Sequence, residues 1–471
     1  MAAPSGTSTR SLAPTQAPPP TGTLFSVART WYPAPPLGII SSSPRLGRTF
    51  CWIRGSTPSL TKTTATLLPA TAAVFRYAKR SSIRPPGVPV TFIPALDGQT
   101  IVLGSTIYPD SDVHIDASAL PGGLTLSGGG VTLLFQLLPG VERVDLTGLT
   151  LTAGFSSTTG GAVDNLGEIT LLDCTLHGNS ATGAGGAIRN SGKLTLVGCT
   201  LYGNSASQGG AIISATTGEN FTRLARCTVA GNTASTRGGG LWNFRGETFL
   251  IRCTVTANSA AQHSGGGVAA SGVAANSAFT RCLNTIIAGN AGSDVARMDA
   301  VGLNGFISGG HNLIGTGSAL NAFIAAGDLV NVTDPRLAAL AGYGGPTPTT
   351  PPYSGSAAID AGGATANPYP VDQRGLPRLV DGDGMGGAQV DIGAVEYDGT
   401  EVSATVLNNA NAGAGSLRSI PRLLPLRHPT DHLATSSVRH PAPAIGALGT
   451  ARPPFSRLLL DPGSVLQFRH S

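Results

Sequence analysis

The chain has 471 residues, 65 of them glycine and only 12% charged, against about 7% and about a quarter in ordinary soluble domains. So much glycine beside Thr, Val, Ile and Leu excludes a mainly helical protein, because glycine loses the most backbone freedom on ordering, and favours strands joined by tight turns. The formal charge of +5 is uneven: residues 1–96 carry ten basic and no acidic side chains, residues 97–397 carry 13 and 21, and residues 398–471 carry seven and four. The patterned part of the chain is thus the acidic one, no aromatic-and-basic motif accompanies the excess charge, and nucleic acid is not expected as a partner.

In chain order, residues 1–88 are a basic, Pro/Ser/Thr-rich stretch without periodicity, expected to be a disordered low-complexity tail. It shows no basic segment followed by a continuous apolar run, so no signal peptide is visible. The apolar run at 65–75 carries Pro69 and is too short to cross a bilayer, so no transmembrane helix is expected. Residues 398–471 read as an irregular tail, in which NNANAGAGSLRSI from Asn408 looks like the truncated start of a further repeat module. Trimming residues 1–85 and 400–471 should leave the thermal transition of the body nearly unchanged, because neither stretch offers periodic apolar surface.

Between them lies an internal repeat. CTLHGNSA begins at Cys174, CTLYGNSA at Cys199, CTVAGNTA at Cys227 and CTVTANSA at Cys253, spaced by 25, 28 and 26 residues. A second motif alternates with it: GGAV at Gly160, GGAI at Gly185, GGAI at Gly209, GGGL at Gly238 and GGGV at Gly265. Each Cys and the Leu or Val two places on share a strand face, so Thr175, Thr200, Thr228 and Thr254 between them face out. The step of three back to Leu171, Leu196, Leu224 and Leu250 breaks the alternation and marks a corner. Asn179, Asn204, Asn232 and Asn258 mark the next turn, where stacked amides can pass hydrogen bonds between coils.

A unit of this length cannot bury its own apolar face, whereas stacked copies can, with strands pairing at about 4.8 Å. The expected fold is all-β, a right-handed parallel β-helix solenoid of about nine or ten coils over residues 90–345. The five recurring cysteines are expected to be buried thiols, since stacked Cβ atoms at that spacing sit outside the usual disulfide range of about 3.5–4.5 Å.

The GGA(I/V) and CTLxGNSA pattern resembles the repeats of pectin-lyase-like bacterial surface proteins and, more loosely, polymorphic outer-membrane protein repeats. Farther on, NTIIAGN at Asn284, SGGHNLIG at Ser308, DPRLAALAGYGGPTPT at Asp334, SAAIDAG at Ser356, DQRGLPR at Asp372 and DIGAVEY at Asp391 resemble the choice-of-anchor Q end module. The resemblance divides the chain into repeats at 89–330 and a terminal module at 331–397. It implies a non-enzymatic extracellular or cell-surface scaffold, adhesin-like or glycan-binding. A polysaccharide lyase or glycoside hydrolase on the same scaffold is the alternative.

No catalytic or cofactor-binding residues stand out, since no aligned column supplies the two carboxylates a glycoside hydrolase needs. Asp381-Gly-Asp383-Gly offers hard oxygens at i and i+2, which suits calcium, without the full calcium-loop pattern. Arg226, Arg252 and Arg281 each precede a Cys and are expected to stack as an outward stripe that binds an acidic glycan or another surface polymer. The sequence leaves the oligomeric state open.

Overall fold

The computed structural model describes residues 89–109, 112–271, 277–298, 304–363 and 369–399. Residues 1–88 and 400–471, including the repeat-like stretch from Asn408, lie outside the described residues. The described chain is all-β, 2% helical, and winds as a parallel β-solenoid of about eight turns.

Each turn contributes a strand to three long parallel faces. One turn runs through Lys193–Val197 on the first face, Thr200–Tyr202 on the second and Ile212–Ala215 on the third, with Ser205–Gln208 in a short fourth sheet between the last two. The register repeats the motif spacing. Leu171 pairs with Leu196, Leu196 with Leu224 and Leu224 with Leu250 on the first face; Thr175, Thr200, Thr228 and Thr254 pair in succession on the second. The inward columns are fully buried, Cys174, Cys199, Cys227 and Cys253 among them, and each buried Leu or Val contributes about 1.5–3 kcal/mol over leaving it in water.

Among the described residues, Cys174, Cys199, Cys227, Cys253 and Cys282 are free thiols. Burial pushes the Cys199, Cys253 and Cys282 thiols up, which keeps them neutral and unreactive. The double-glycine motif has an equally direct cause. Gly185 sits at φ 71°, and a Cβ on Gly186 would collide with the Gly210 carbonyl oxygen of the next coil, so both positions reject a side chain.

The solenoid is shorter than the nine or ten coils expected to residue 345. Among the described residues the second face holds nine strands, the last being Leu313–Ile314. Beyond it, Phe323 packs in the core with Phe306, their rings 5.8 Å apart. The chain from Leu337 then makes short antiparallel bridges, Leu337 to Pro352 and Ala341 to Thr349, in place of further parallel rungs.

This terminal segment folds back over the outside of the second face. Thr200 Oγ1 donates to the Pro348 carbonyl at 2.5 Å, Thr228 Oγ1 to Gln373 Oε1 at 2.6 Å, and the Ala394 amide donates to Thr254 Oγ1 at 3.0 Å. The outward threonines are therefore buried, Thr200 and Thr228 at 0% exposure. One coil further on the threonine column turns apolar, and Ile286 and Leu313 bury against Ala358 and Ile392.

Candidate functional site

Three groups of side chains outside the repetitive core bear on the candidate site. The first lies on the corner between the first and second faces. Gly148, Asp173, Gly198, Arg226, Arg252 and Asn284 hold it in successive coils, all at positive φ between 49° and 66°. A left-handed conformation suits glycine and costs other residues about 1 kcal/mol, so two arginines here are an unusual choice.

The expected stripe of three arginines is not formed. Arg226 and Arg252 occupy adjacent corners, but Arg281 pairs with Phe249, which pairs with Arg223, inside the first face. Cys282 correspondingly stacks on Leu250, in the leucine column. The place of the next column cysteine is taken by Thr285, whose Oγ1 accepts the Cys253 amide from 32 residues away. The signal for this was present in the sequence: Thr285-Ile-Ile-Ala-Gly-Asn290 keeps the spacing from column residue to corner Asn that CTVTAN sets.

Nor do Arg226 and Arg252 stand free in solvent: Arg226 is half-buried and Arg252 buried. Arg226 Nη1 donates to the Asp372 carbonyl at 2.8 Å and its guanidinium lies 5.3 Å from the Tyr369 ring centre. Arg252 is 2% exposed. Both lie under the terminal segment, which brings a charged cluster of its own: Asp372, Arg378, Asp391 and Glu396 are each 1% exposed or less. Arg374 Nε donates to Asp372 Oδ2 at 2.9 Å, Arg378 Nη1 to Glu396 Oε2 at 3.4 Å, and the Asp391 amide to Glu396 Oε1 at 2.8 Å.

Burial pushes the Asp391 carboxyl up to about 7. Burial and the neighbouring Asp391 push Glu396 up to about 9. Burial, with Arg378 alongside, pushes Arg252 down to about 10. Raised carboxyls are the form a general acid takes, but these two are enclosed where no polymer can reach them. Their geometry serves docking of the segment.

The second group stands on the outer surface of the first face. Phe221 and Phe249 meet edge to face with centres 6.5 Å apart, and the exposed Arg223 guanidinium lies 5.4 Å and 5.3 Å from the two centres. Arg281 in the next coil holds Glu247 through two bonds, Nε to Oε2 at 3.1 Å and Nη2 to Oε1 at 3.0 Å. Both side chains of that pair keep about 40% of their surface in solvent, 43% and 38%. Ile307, paired with Arg281, is 36% exposed. This surface was legible only as the recurring Phe-Thr-Arg at 221–223 and 279–281, whose alternation puts Phe and Arg on one side.

The third group is the aspartate loop. Asp381 and Asp383 are joined by Asp360, and one carboxylate oxygen from each lies within 4.8 Å of the others. Each carboxylate also accepts backbone amides: Asp360 Oδ2 from Asp383 at 2.8 Å, Asp381 Oδ1 from Gly384 at 2.8 Å, and Asp383 Oδ1 from Met385 at 2.8 Å.

Fold and surface together define a parallel β-helix scaffold with a terminal segment strapped along one side. Compared with known proteins, the chain matches no family model, no curated protein and no solved structure. Among the described residues no helix is long and apolar enough to cross a membrane.

Proposed function

We propose that this protein is a non-enzymatic extracellular or cell-surface scaffold of the pectin-lyase-like, choice-of-anchor type, adhesin-like in that it holds an acidic glycan on the outer surface of its first face. The observation that carries the reading is Arg223 over Phe221 and Phe249 with Arg281 one coil on. Aromatic faces pack against the apolar side of a sugar ring, while guanidiniums pair with carboxylate or sulfate groups.

Replacing Arg223 and Arg281 with Gln is expected to cut retention on uronic-acid or sulfated polymers at low salt, by roughly fivefold per contact at about 1 kcal/mol each. Retention of the wild type should weaken as salt rises, because exposed charge contacts are screened over about 10 Å at 0.1 M. Unchanged retention of the double variant removes the glycan from the reading and leaves the scaffold. Release of reducing or unsaturated ends from such a polymer would instead establish the alternative, a polysaccharide lyase or glycoside hydrolase.

Calcium at Asp360, Asp381 and Asp383 belongs to the same reading, since three carboxylates supply the hard oxygens that ion takes. Millimolar calcium, the affinity range of extracellular modules, is expected to raise the melting temperature of the wild type and leave Asp381→Asn and Asp383→Asn unmoved. An equal rise in the variants, or none in the wild type, excludes the ion.

A further inference from the structure

The charged cluster beneath the terminal segment brings both signs together. It holds four guanidiniums, from Arg226, Arg252, Arg374 and Arg378, beside the carboxyl groups of Asp372, Asp391 and Glu396, with Asp173 close enough to Arg226 and Asp360 close enough to Asp391 to act on them. Arg374 and Asp372 take one another up. Asp391 spends its oxygens on backbone amides, Oδ1 accepting from Asp360 at 2.7 Å and Oδ2 from Tyr397 at 2.6 Å. Glu396 meets Arg378 only at 3.4 Å.

The unspent donors are on the arginines. Arg226 Nε, Arg252 Nη1 and Arg378 Nε are all buried without a hydrogen-bond partner among the described residues. Arg252 is 2% exposed and Arg378 1%. The three side chains share one neighbourhood: Arg226 and Arg252 come from neighbouring corners, Arg226 is roofed by Asp372, and Arg378 Nη2 donates to the Gly393 carbonyl at 2.8 Å. Gly393 in turn lies over Thr254, two residues past Arg252, where Ala394 is bonded to the Thr254 hydroxyl. Arg252 and Arg378 feel each other's charge, as do Arg378 and Arg226, while Glu396, Asp372 and Asp391 act on Arg378 more strongly and with the opposite sign. A buried donor with no acceptor is costly, a guanidinium most of all.

We infer that a small inorganic anion of the halide class binds between Arg226, Arg252 and Arg378, satisfying their orphan N–H groups and locking the terminal segment onto the solenoid. An anion is favoured over a neutral filler because all the unpaired groups are donors on cations. A small one is favoured because Arg252 and Arg378 are almost fully buried.

The probe is sodium bromide, exchanged against sodium gluconate at constant ionic strength with the full-length protein. Binding to the folded state alone is expected to raise the melting temperature by roughly 3 °C per tenfold rise in bromide above its dissociation constant. Crystals grown in bromide should show anomalous density in contact with Arg252 Nη1. Arg252→Met and Arg378→Met should each lose the bromide dependence, and the anomalous peak of the wild type decides the matter should a variant not fold. Melting that is indifferent to bromide, a dependence that persists in both variants, or bromide found elsewhere overturns the site.

Discussion

Replacing Asn232 with alanine is expected to lower stability by about 2–5 kcal/mol, one of the largest effects available to a single substitution away from the apolar columns. The corner asparagines form a directional chain. Each one's amide N–H and Nδ2 both donate to the Oδ1 of the next: Asn179 to Asn204, Asn204 to Asn232, Asn232 to Asn258 and Asn258 to Asn290, at 2.8–3.0 Å. Nδ2 also reaches back to the preceding coil, Asn232 to the Leu201 carbonyl at 2.9 Å. Loss of this one side chain orphans the Asn204 amide inside a site with 0% exposure, at about 1–3 kcal/mol, and removes the further bonds to Asn204 Nδ2, the Leu201 carbonyl and Asn258 Oδ1.

The chain ends where its logic requires. Asn290 N and Nδ2 donate at 2.8 and 2.9 Å to Asp294 Oδ1, while Asp294 Oδ2 accepts the Thr316 amide at 2.6 Å. A final acceptor with nothing left to donate is a carboxylate. Asn232→Asp should accordingly destabilise more than Asn232→Ala, because the new carboxylate would face the Asn258 oxygen. Asp294→Asn should destabilise too, because an amide NH₂ would oppose the Thr316 N–H. Urea unfolding measures all three, and an Asn232→Ala variant within about 0.5 kcal/mol of wild type would show that the ladder carries no stability.

What the sequence revealed and what it concealed divide along separation in the chain. Repeats of about 25 residues place Cys174, Thr175, Leu176 and Asn179 on known sides of known corners, because each coil is paired to the next by the same residues. The asparagine ladder and the buried thiols follow from that spacing. The third-face insertion before Ala278 stretches one coil to 32 residues, and alignment on Cys282 in place of Thr285 moved Arg281 from a strand interior to a corner.

The strap was hidden for a different reason. Gln373 reaches Thr200 Oγ1 from 173 residues away, and nothing in a threonine column says whether water or another segment will cover it. Threonine serves both, since its hydroxyl satisfies a carbonyl as readily as it meets solvent. The same docking covers Arg252 and part of Arg226 and creates the buried cluster, while folding within the segment brings Asp360 to Asp381 and Asp383, none of which has a local signature. The aromatic surface of the first face was half legible, because alternation placed Phe and Arg outward but could not show Arg223 folded over two rings from different coils.

Attachment of the terminal segment is expected to weaken as pH rises from about 5 to about 9, the reverse of the loss in acid that paired carboxylates usually give. Glu396 rises from 4.5 to about 9 and Asp391 from 3.8 to about 7 on folding, chiefly through burial. Between the unfolded and folded values the native state holds protons that the unfolded state has released. Stability from these groups is therefore complete below the unfolded values and is lost as pH climbs through the folded ones. Arg252, pushed down to about 10, works in the opposite direction only above that value, so it leaves this window untouched. Hydrogen exchange of residues 334–397 at about pH 5, 7 and 9, corrected for the intrinsic pH dependence of exchange, would locate the loss in the segment. Glu396→Gln, fixed in the neutral form, should flatten the profile while Asp391 keeps a smaller slope near pH 7. A wild type as firmly attached at pH 9 as at pH 5, or a Glu396→Gln variant as steep as the wild type, would show that these carboxyls stay ionised and that Arg378 and Arg252 already have their counter-charge.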